Sequence, residues 1–355
     1  MLAVIKGEPV DRLPIDINFA DALVVERFAK HYGMTSDEFM DSLGNDMRQI
    51  YSMDEPGCYM QDAEMLNVAF EKGFAKKNDL SEYAIEDGFG IIWDASGIGQ
   101  RPLDVDRSWD ILKDYKAPDP HKDGMFWDFD RKVQAYRDQD AAYYVGQYYG
   151  ILEKFEHIRG FQNALMDFYL EEDYTHELLD KLTDYRVELA KEICKRGVVF
   201  GHGGDDYGIQ RGPLISLDIW REFIKPRLAR IYKVYKDNGV PVLHHSCGDC
   251  SIFIDDLLEI GVDALHPIQA SAMDIHELYK RYGDRIVYYG GFDMQSLIEK
   301  GTPEEIRKNV IDAIQTLGKH GRMVCCAVNI MMDVPFENFE ALRDTIYEYR
   351  YKYSE

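Results

Sequence analysis

The sequence has no apolar run of the roughly 18 residues that a membrane-spanning helix requires. Its first ten residues include Lys6 and Glu8 and lack the apolar core of a secretory signal. These two absences predict a cytoplasmic protein that does not enter a membrane.

The sequence has fewer basic residues than acidic ones. The 355 residues include 41 Lys and Arg against 64 Asp and Glu, which gives a formal net charge of −23. Binding to nucleic acid needs a basic surface that neutralises phosphates, so this balance argues against a nucleic-acid partner. Strong acidity is most often typical of a well-solvated surface, and it also steers a protein toward partners with a positive patch.

Cysteines are too few for a disulfide-stabilised secreted domain, which would be shorter and richer in them. Four of the six lie in two tight pairs late in the chain, a pattern that favours metal binding or catalysis. The six are Cys58, Cys194, Cys247, Cys250, Cys325 and Cys326.

Short β-branched and aromatic runs alternate with amphipathic stretches, which is typical of βα units around a parallel sheet. Eight strands are predicted, at residues 13–18, 46–52, 141–146, 198–202, 240–245, 262–266, 285–290 and 322–328. Eight such units predict an α/β fold of the (β/α)₈ TIM-barrel type, with residues 1–355 as a single domain. In such a barrel the carboxyl ends of the strands meet at the face that holds the active site.

Residues 54–140 interrupt this rhythm after the second predicted strand. The segment Gly88–Trp93 reads as a hairpin, and two prolines lie in the loop at 118–122. We expect this stretch to be an insertion that covers the barrel mouth.

His245 ends the fifth predicted strand and Cys247 lies two residues further on, and residues two apart on a strand point to the same side. Imidazole nitrogen and thiolate sulfur are ligands that zinc prefers. Cys326 shares this inward orientation on the last strand and is the preferred third ligand. Cys325, Cys250 and Asp206 are alternatives, and His245 could instead orient a substrate while Cys247 packs in the core.

Other polar residues follow strand ends and are candidates for the active site. Asp206 can complete a metal site, take a proton or bind a cationic group, although it can equally cap a helix. Tyr149 is a second candidate catalytic residue. The candidate substrate-binding residues are Asn18, Tyr148, Gln210 and Asp293.

Six segments in order resemble the uroporphyrinogen decarboxylase-like superfamily over nearly the whole chain. They are PVDRLP (9–14), DDYGIQRGPLIS (205–216), HSCG (245–248), GVD (261–263), YGGFD (289–293) and DVPFEN (333–338). The resemblance implies a (β/α)₈ barrel enzyme. The superfamily contains porphyrinogen decarboxylases and zinc-dependent, corrinoid-linked methyltransferases.

The resemblance is closer to the methyltransferases. The decarboxylases carry an arginine-rich segment after the first strand, where this chain has residues 17–21 without a cation. His245 and Cys247 look like the first two zinc ligands of the methylcobamide:thiol methyltransferases, whose third is a cysteine on the last strand. That position falls near Val328, two residues from Cys326, which keeps the same facing side.

The resemblance therefore implies a zinc methyltransferase that moves a methyl group between a small-molecule donor or acceptor and a corrinoid held by a partner protein. A methoxylated aromatic is one such donor, and a thiol is one such acceptor. The alternatives are a decarboxylase acting on a porphyrinogen or smaller acid, and a binding protein without chemistry. The sequence leaves a homodimer open.

Overall fold

The computed structural model describes residues 1–60, 62–96, 101–103, 107–139, 141–147 and 149–353, with only the backbone of Cys58 and Arg101. Contacts divide the chain into two compact units. The first unit comprises residues 1–48, 206–214 and 243–355, and the second comprises residues 49–205 and 215–242.

Eight parallel strands form the (β/α)₈ barrel fold that the sequence predicts. The strands are β1 (Ile15–Phe19), β2 (Met47–Tyr51), β3 (Ala142–Gly146), β4 (Gly201–Gly204), β5 (Val242–His245), β6 (Ala264–Ile268), β7 (Val287–Gly290) and β8 (Met323–Ile330). Their order is β1-β8-β7-β6-β5-β4-β3-β2. All eight predicted strands are confirmed, although β4 begins three residues later than expected and β8 continues to Ile330, where it still pairs with Phe19.

The first unit consists of neighbouring parallel strands with helices between them. Its α-helices are Leu2–Lys6, Ala22–His31, Ser36–Ser42, Ile254–Glu259, Ile275–Tyr282, Leu297–Lys300, Pro303–Leu317 and Phe336–Tyr349, and a 3₁₀ turn spans Ser251–Phe253. The strand register sets two pairs of polar residues side by side. His245 of β5 lies beside His266 of β6, and Asp16 of β1 lies beside Cys326 of β8.

One half-buried carboxylate joins the start and the end of the first unit. Asp46 accepts hydrogen bonds from the amide of Ile15 at 2.9 Å, from Arg12 at 3.0 Å and from Arg350 at 2.7 Å. The Arg350 Nε also donates to the carbonyl of Leu13 at 2.9 Å. These bonds fix the residue just before β2 and the end of the C-terminal helix to the start of β1.

The second unit contains the predicted insertion. Its α-helices are Pro56–Tyr59, Ala63–Glu71, Trp109–Leu112, Trp127–Asp138, Ile151–Arg159, Phe161–Leu170, Glu172–Cys194, Leu217–Ile219 and Lys225–Asp237, with a π-helical turn at Trp220–Ile224. A four-stranded antiparallel sheet lies between β2 and β3 in sequence, at Ala75–Lys77, Ala84–Asp87, Ile92–Asp94 and Arg101–Pro102. The expected hairpin is confirmed, while the role of the insertion over the barrel mouth stays a prediction.

None of the helices that the structure describes is both long and apolar enough to cross a bilayer.

A buried aspartate fixes the hairpin of the insertion. Asp87 accepts hydrogen bonds from the amides of Phe89 at 2.8 Å and Ile91 at 2.9 Å, and from the indole Nε1 of Trp93 at 2.9 Å. Burial raises the pKa of Asp87, although Lys154 and these hydrogen bonds act to lower it. The carboxylate satisfies three donors that water does not reach.

Replacement of Asp87 by Ala is expected to lower the free energy of unfolding by about 3 kcal/mol, because it leaves these buried donors without an acceptor. Asp87→Asn keeps one acceptor oxygen and is expected to cost about 1 kcal/mol. Urea unfolding followed by circular dichroism measures both values. Equal stability of the Ala variant and the original protein would show that the hairpin does not depend on this carboxylate.

Candidate metal centre

Two loops of the first unit contact each other backbone to backbone, and glycines permit this approach. A Cβ on Gly208 would lie 2.7 Å from the carbonyl oxygen of Cys247, and Gly248 has a φ of +74°. The amide of Asp249 donates to the carbonyl of Ile209 at 2.9 Å. Because only glycine tolerates both the contact and the left-handed backbone, this arrangement brings Asp206 next to the turn after β5.

Three potential metal ligands converge at this contact. The Oδ1 of Asp206 accepts a hydrogen bond from the amide of Cys247 at 2.7 Å and lies 3.4 Å from the Nε2 of His245. The Sγ of Cys247 lies 3.6 Å from the same Nε2. The ligand atoms of the three residues all lie within 4.8 Å of one another. One oxygen, one nitrogen and one sulfur donor at this spacing fit a zinc ion with an open fourth position.

The charges of these groups favour a cation at this point. Burial lowers the pKa of His245, but Cys247 and Asp206 raise it more, so that it ends well above its ordinary value. Burial raises the pKa of Asp206, but His245 lowers it more, so that it ends below its ordinary value. Two acidic groups around one imidazole stabilise positive charge, whether it is a proton or a metal ion.

A second imidazole lies directly behind the first. The Nδ1 atoms of His245 and His266 are 2.8 Å apart, and the Nε2 of His266 lies 3.9 Å from the Sγ of Cys326. Burial, together with Asp16, raises the pKa of Cys326 well above its ordinary value. Cys326 therefore contacts His266 in this structure.

A buried carboxyl group adjoins this pair. The hydroxyl of Tyr289 donates to the Oδ2 of Asp16 at 2.5 Å, and the ring of Tyr289 meets that of His266 edge to face at a centroid distance of 4.9 Å. Burial raises the pKa of Asp16 to about 6, although hydrogen bonds from Tyr289 and from Asn18 act to lower it. Asn18 is thus connected to Tyr289 and His266 by way of its hydrogen bond to Asp16.

A cavity of about 300 Å³, a volume that suits a small ligand, opens beside the thiols of Cys247 and Cys326. Its polar wall is formed by Gln269, Gln295, Glu299 and Asn329, and its apolar wall includes Phe292, Met294 and Met331. The Oε1 of Gln269 accepts from the amide of Gly248 at 2.7 Å, which ties the wall to the turn after His245. Among the described residues that line the cavity, none is Lys, Arg or His.

The family model described as "Uroporphyrinogen decarboxylase (URO-D)" matches residues 149–349, more than half of the chain. The chain belongs to this family. The resemblance that the sequence motifs carry is thereby confirmed at the level of the family.

Two curated URO-D relatives match over shorter stretches. The uroporphyrinogen decarboxylase of Christiangramia forsetii is 29% identical over 177 residues, which is 49% of this chain and 48% of the relative. That of Thermus thermophilus is 30% identical over 102 residues, 29% of this chain and 28% of the relative. The matched part spans less than half the length of either relative.

A solved structure described as a methyltransferase from Methanosarcina mazei superposes with a TM-score of 0.65. It is 16% identical in sequence, and the superposition covers 98% of this chain and 97% of the other. At this identity the likeness shows that the two proteins share the barrel fold.

Not all of the predicted site residues lie at the candidate metal centre. The Nε2 of Gln210 donates to the carbonyl of Ser271 at 2.7 Å on the surface. The carboxylate of Asp293 accepts from the amides of Gln295 and Ser296, so it fixes the turn after β7. Tyr149 lies in the second unit, where its ring meets Trp93 and His157. Tyr148 lies outside the described residues.

The alternative cysteine ligands have other surroundings. Cys250 is buried with its thiol 3.9 Å from the Sδ of Met273, and burial raises the pKa of this thiol to about 12. Burial likewise raises the pKa of Cys325 to about 12. Neither thiol belongs to the group formed by Asp206, His245 and Cys247.

Sequence reasoning assigned no role to His266, Asp16, Tyr289 or Gln269. His266 offered one usable signal, since it ends the strand that follows His245 and parallel neighbours place such residues side by side.

Asp16 is expected to make stability depend on pH. Because burial raises its pKa to about 6, the folded state binds this proton more tightly than the unfolded state, and stability falls as pH rises from about 4 to about 6. Asp16→Asn keeps an acceptor for Tyr289 and removes the titration. The unfolding free energy of Asp16→Asn minus that of the original protein is expected to increase by about 2 kcal/mol between pH 4 and pH 7.

Denaturant titrations at several pH values measure this difference. Asp41→Asn, at an exposed residue of the same unit, is the control and should show a stability profile parallel to that of the original protein. Parallel stability profiles of Asp16→Asn and the original protein would contradict the expectation.

Proposed function

We propose that this URO-D family protein is a corrinoid-linked methyltransferase. It moves a methyl group between a small methylated substrate, or a thiol, and a corrinoid bound to a partner protein, and it uses a zinc centre. The observation that carries this proposal is the convergence of Asp206, His245 and Cys247 beside a cavity whose described lining has no cation.

His245 and Cys247 hold the metal in this proposal, and Asp206 is the third protein ligand. Asp206 contacts both other residues, whereas Cys326 contacts His266. The cysteine on the last strand, which the sequence favours, remains the alternative third ligand. Either set leaves an open position for a reacting group.

Bound zinc would supply one kind of chemistry here, lowering the pKa of a thiol or polarising the leaving oxygen or nitrogen of a methyl donor. The protein's own groups prepare the site for that role. Asp206 holds the backbone of Cys247 and faces the imidazole of His245, so the three donors keep their positions. The side chain of Gln269 holds Gly248 and thus the turn that carries Cys247.

The cavity favours a small substrate without carboxylates. A porphyrinogen carries several carboxylates and needs basic residues around it, which the described lining does not provide. Phe292, Met294 and Met331 offer an apolar wall for a methylated group such as a methoxylated aromatic ring. This composition supports methyl transfer over porphyrinogen decarboxylation.

Docking of a corrinoid protein requires an accessible apolar surface around the site. Leu23, Ile209, Met331 and Met332 are 58%, 51%, 44% and 46% exposed. Leu23 follows β1, Ile209 lies in the Asp206 loop, and the two methionines follow β8. These large apolar side chains, which follow β1 and β8 or lie near Asp206 in sequence, support a docking surface at this end of the first unit. A homodimer remains a prediction.

The zinc affinity of variants shows whether Asp206 or Cys326 is the third ligand. His245→Ala combined with Cys247→Ala is expected to abolish zinc binding, which is about one ion per chain in the original protein. Asp206→Asn is expected to weaken zinc affinity at least about tenfold, and Cys326→Ser to change it by less than about threefold. Chelator competition measures these affinities. The reverse ranking would make Cys326 the third ligand.

The activity itself is tested with reduced cobalamin, as cob(I)alamin, and a panel of methyl donors. Zinc-loaded protein is expected to methylate the corrinoid with at least one donor, which is visible in the corrinoid absorption spectrum. The double variant of His245 and Cys247 is the matched control and is expected to be inactive. Release of carbon dioxide from a porphyrinogen without any methyl transfer would instead support the decarboxylase alternative.

A further inference from the structure

His266 makes a contact that constrains the protons of two imidazoles. Its Nδ1 lies 2.8 Å from the Nδ1 of His245, a hydrogen-bond distance between two like atoms. One of these nitrogens must carry a proton and the other a lone pair. The backbone supports the contact, since the two residues are partners in the β5–β6 register and the amide of Ser246 donates to the carbonyl of His266 at 2.8 Å.

The surroundings of His245 decide which nitrogen carries the proton. Its Nε2 faces the Oδ1 of Asp206 at 3.4 Å and the Sγ of Cys247 at 3.6 Å, where the proposed zinc site lies. An imidazole that binds a metal through Nε2 keeps its proton on Nδ1. His245 then donates to His266, whose own proton must be on Nε2. That nitrogen faces the Sγ of Cys326 at 3.9 Å, and sulfur accepts a weak hydrogen bond.

The ring of His266 is held in this orientation from the other side. His266 is buried, and Tyr289 meets it edge to face while the Tyr289 hydroxyl is fixed by Asp16. In this orientation the ring presents its Nδ1 to His245 and its Nε2 to Cys326. The order of donors and acceptors therefore runs in a single direction from His245 through His266 to Cys326.

We propose that His266 is a positioning residue that fixes the tautomer and the ring orientation of His245 so that its Nε2 is available to the metal. This inference rests on the proposed zinc site. It also assigns Cys326 a role as hydrogen-bond acceptor for His266, which differs from the ligand role that the sequence favours.

Three variants of His266 test the roles of its Nδ1 and Nε2 atoms separately. The amide of Asn reaches about as far as Nδ1, the amide of Gln about as far as Nε2, and Phe keeps the ring without either nitrogen. His266→Phe and His266→Gln are expected to weaken zinc affinity about 10- to 100-fold, and His266→Asn by less than about threefold. Chelator competition gives the affinities, and thermal unfolding of the metal-free variants shows that each still folds.

Nitrogen-15 NMR of the imidazoles gives a readout that a merely structural role would not move. In the original protein His266 is expected to carry its proton on Nε2, and His245 to carry one on Nδ1. A His266 proton on Nδ1 would overturn the proposal, as would undiminished zinc affinity in His266→Phe or an equal loss in all three variants.

The proposed function can fail separately from this inference. If the original protein binds no zinc, the zinc methyltransferase is rejected, and the metal-free protein decides the hydrogen bond. A proton on the Nε2 of His266 in that protein supports the direction of the bond, and a proton on its Nδ1 overturns it.

Discussion

The candidate site depends on the hydrogen bond between the carboxylate of Asp206 and the amide of Cys247, at 2.7 Å. That bond requires two loops to touch along their backbones, which Gly208 and Gly248 allow because neither has a Cβ. Any other residue at these positions would push the loops apart and separate the carboxylate from the thiol. Gly208 and Gly248 thus affect the candidate site indirectly, because they allow the short distance between Asp206 and Cys247.

The same constraint sets the charge of the site. A half-buried carboxylate beside a thiol and an imidazole makes the imidazole easier to protonate, in spite of the burial that opposes it. A zinc ion would take the place of that proton, since it satisfies the same acidic groups and accepts the nitrogen lone pair. In the proposed arrangement, the contact between His266 and His245 determines which of their two Nδ1 atoms carries a proton and which carries a lone pair.

Residue alternation along single strands allowed much of this arrangement to be predicted. The period of two placed His245 and Cys247 on one side, and it also distinguished Cys326 from Cys325, since Cys326 faces the cavity. What the sequence did not reveal depends on contacts between residues of different strands. His266 and His245 are 21 residues apart, and Asp16 and Tyr289 are 273 residues apart. Such contacts follow from the order and register of the strands in the barrel, which the pattern within one strand does not encode.

The charge of the cavity lining also bears on which substrates a URO-D barrel can accommodate. The cavity next to the thiols keeps amides, a carboxylate and apolar side chains, and its described lining has no basic residue to hold the carboxylates of a porphyrinogen. Burying an unpaired carboxylate in such a cavity would cost far more free energy than its apolar contacts return. A methylated group needs only apolar walls and a nucleophile or Lewis acid within reach. Under the proposed function, the lining of this cavity therefore favours a substrate of low charge, within a fold that can support different reactions.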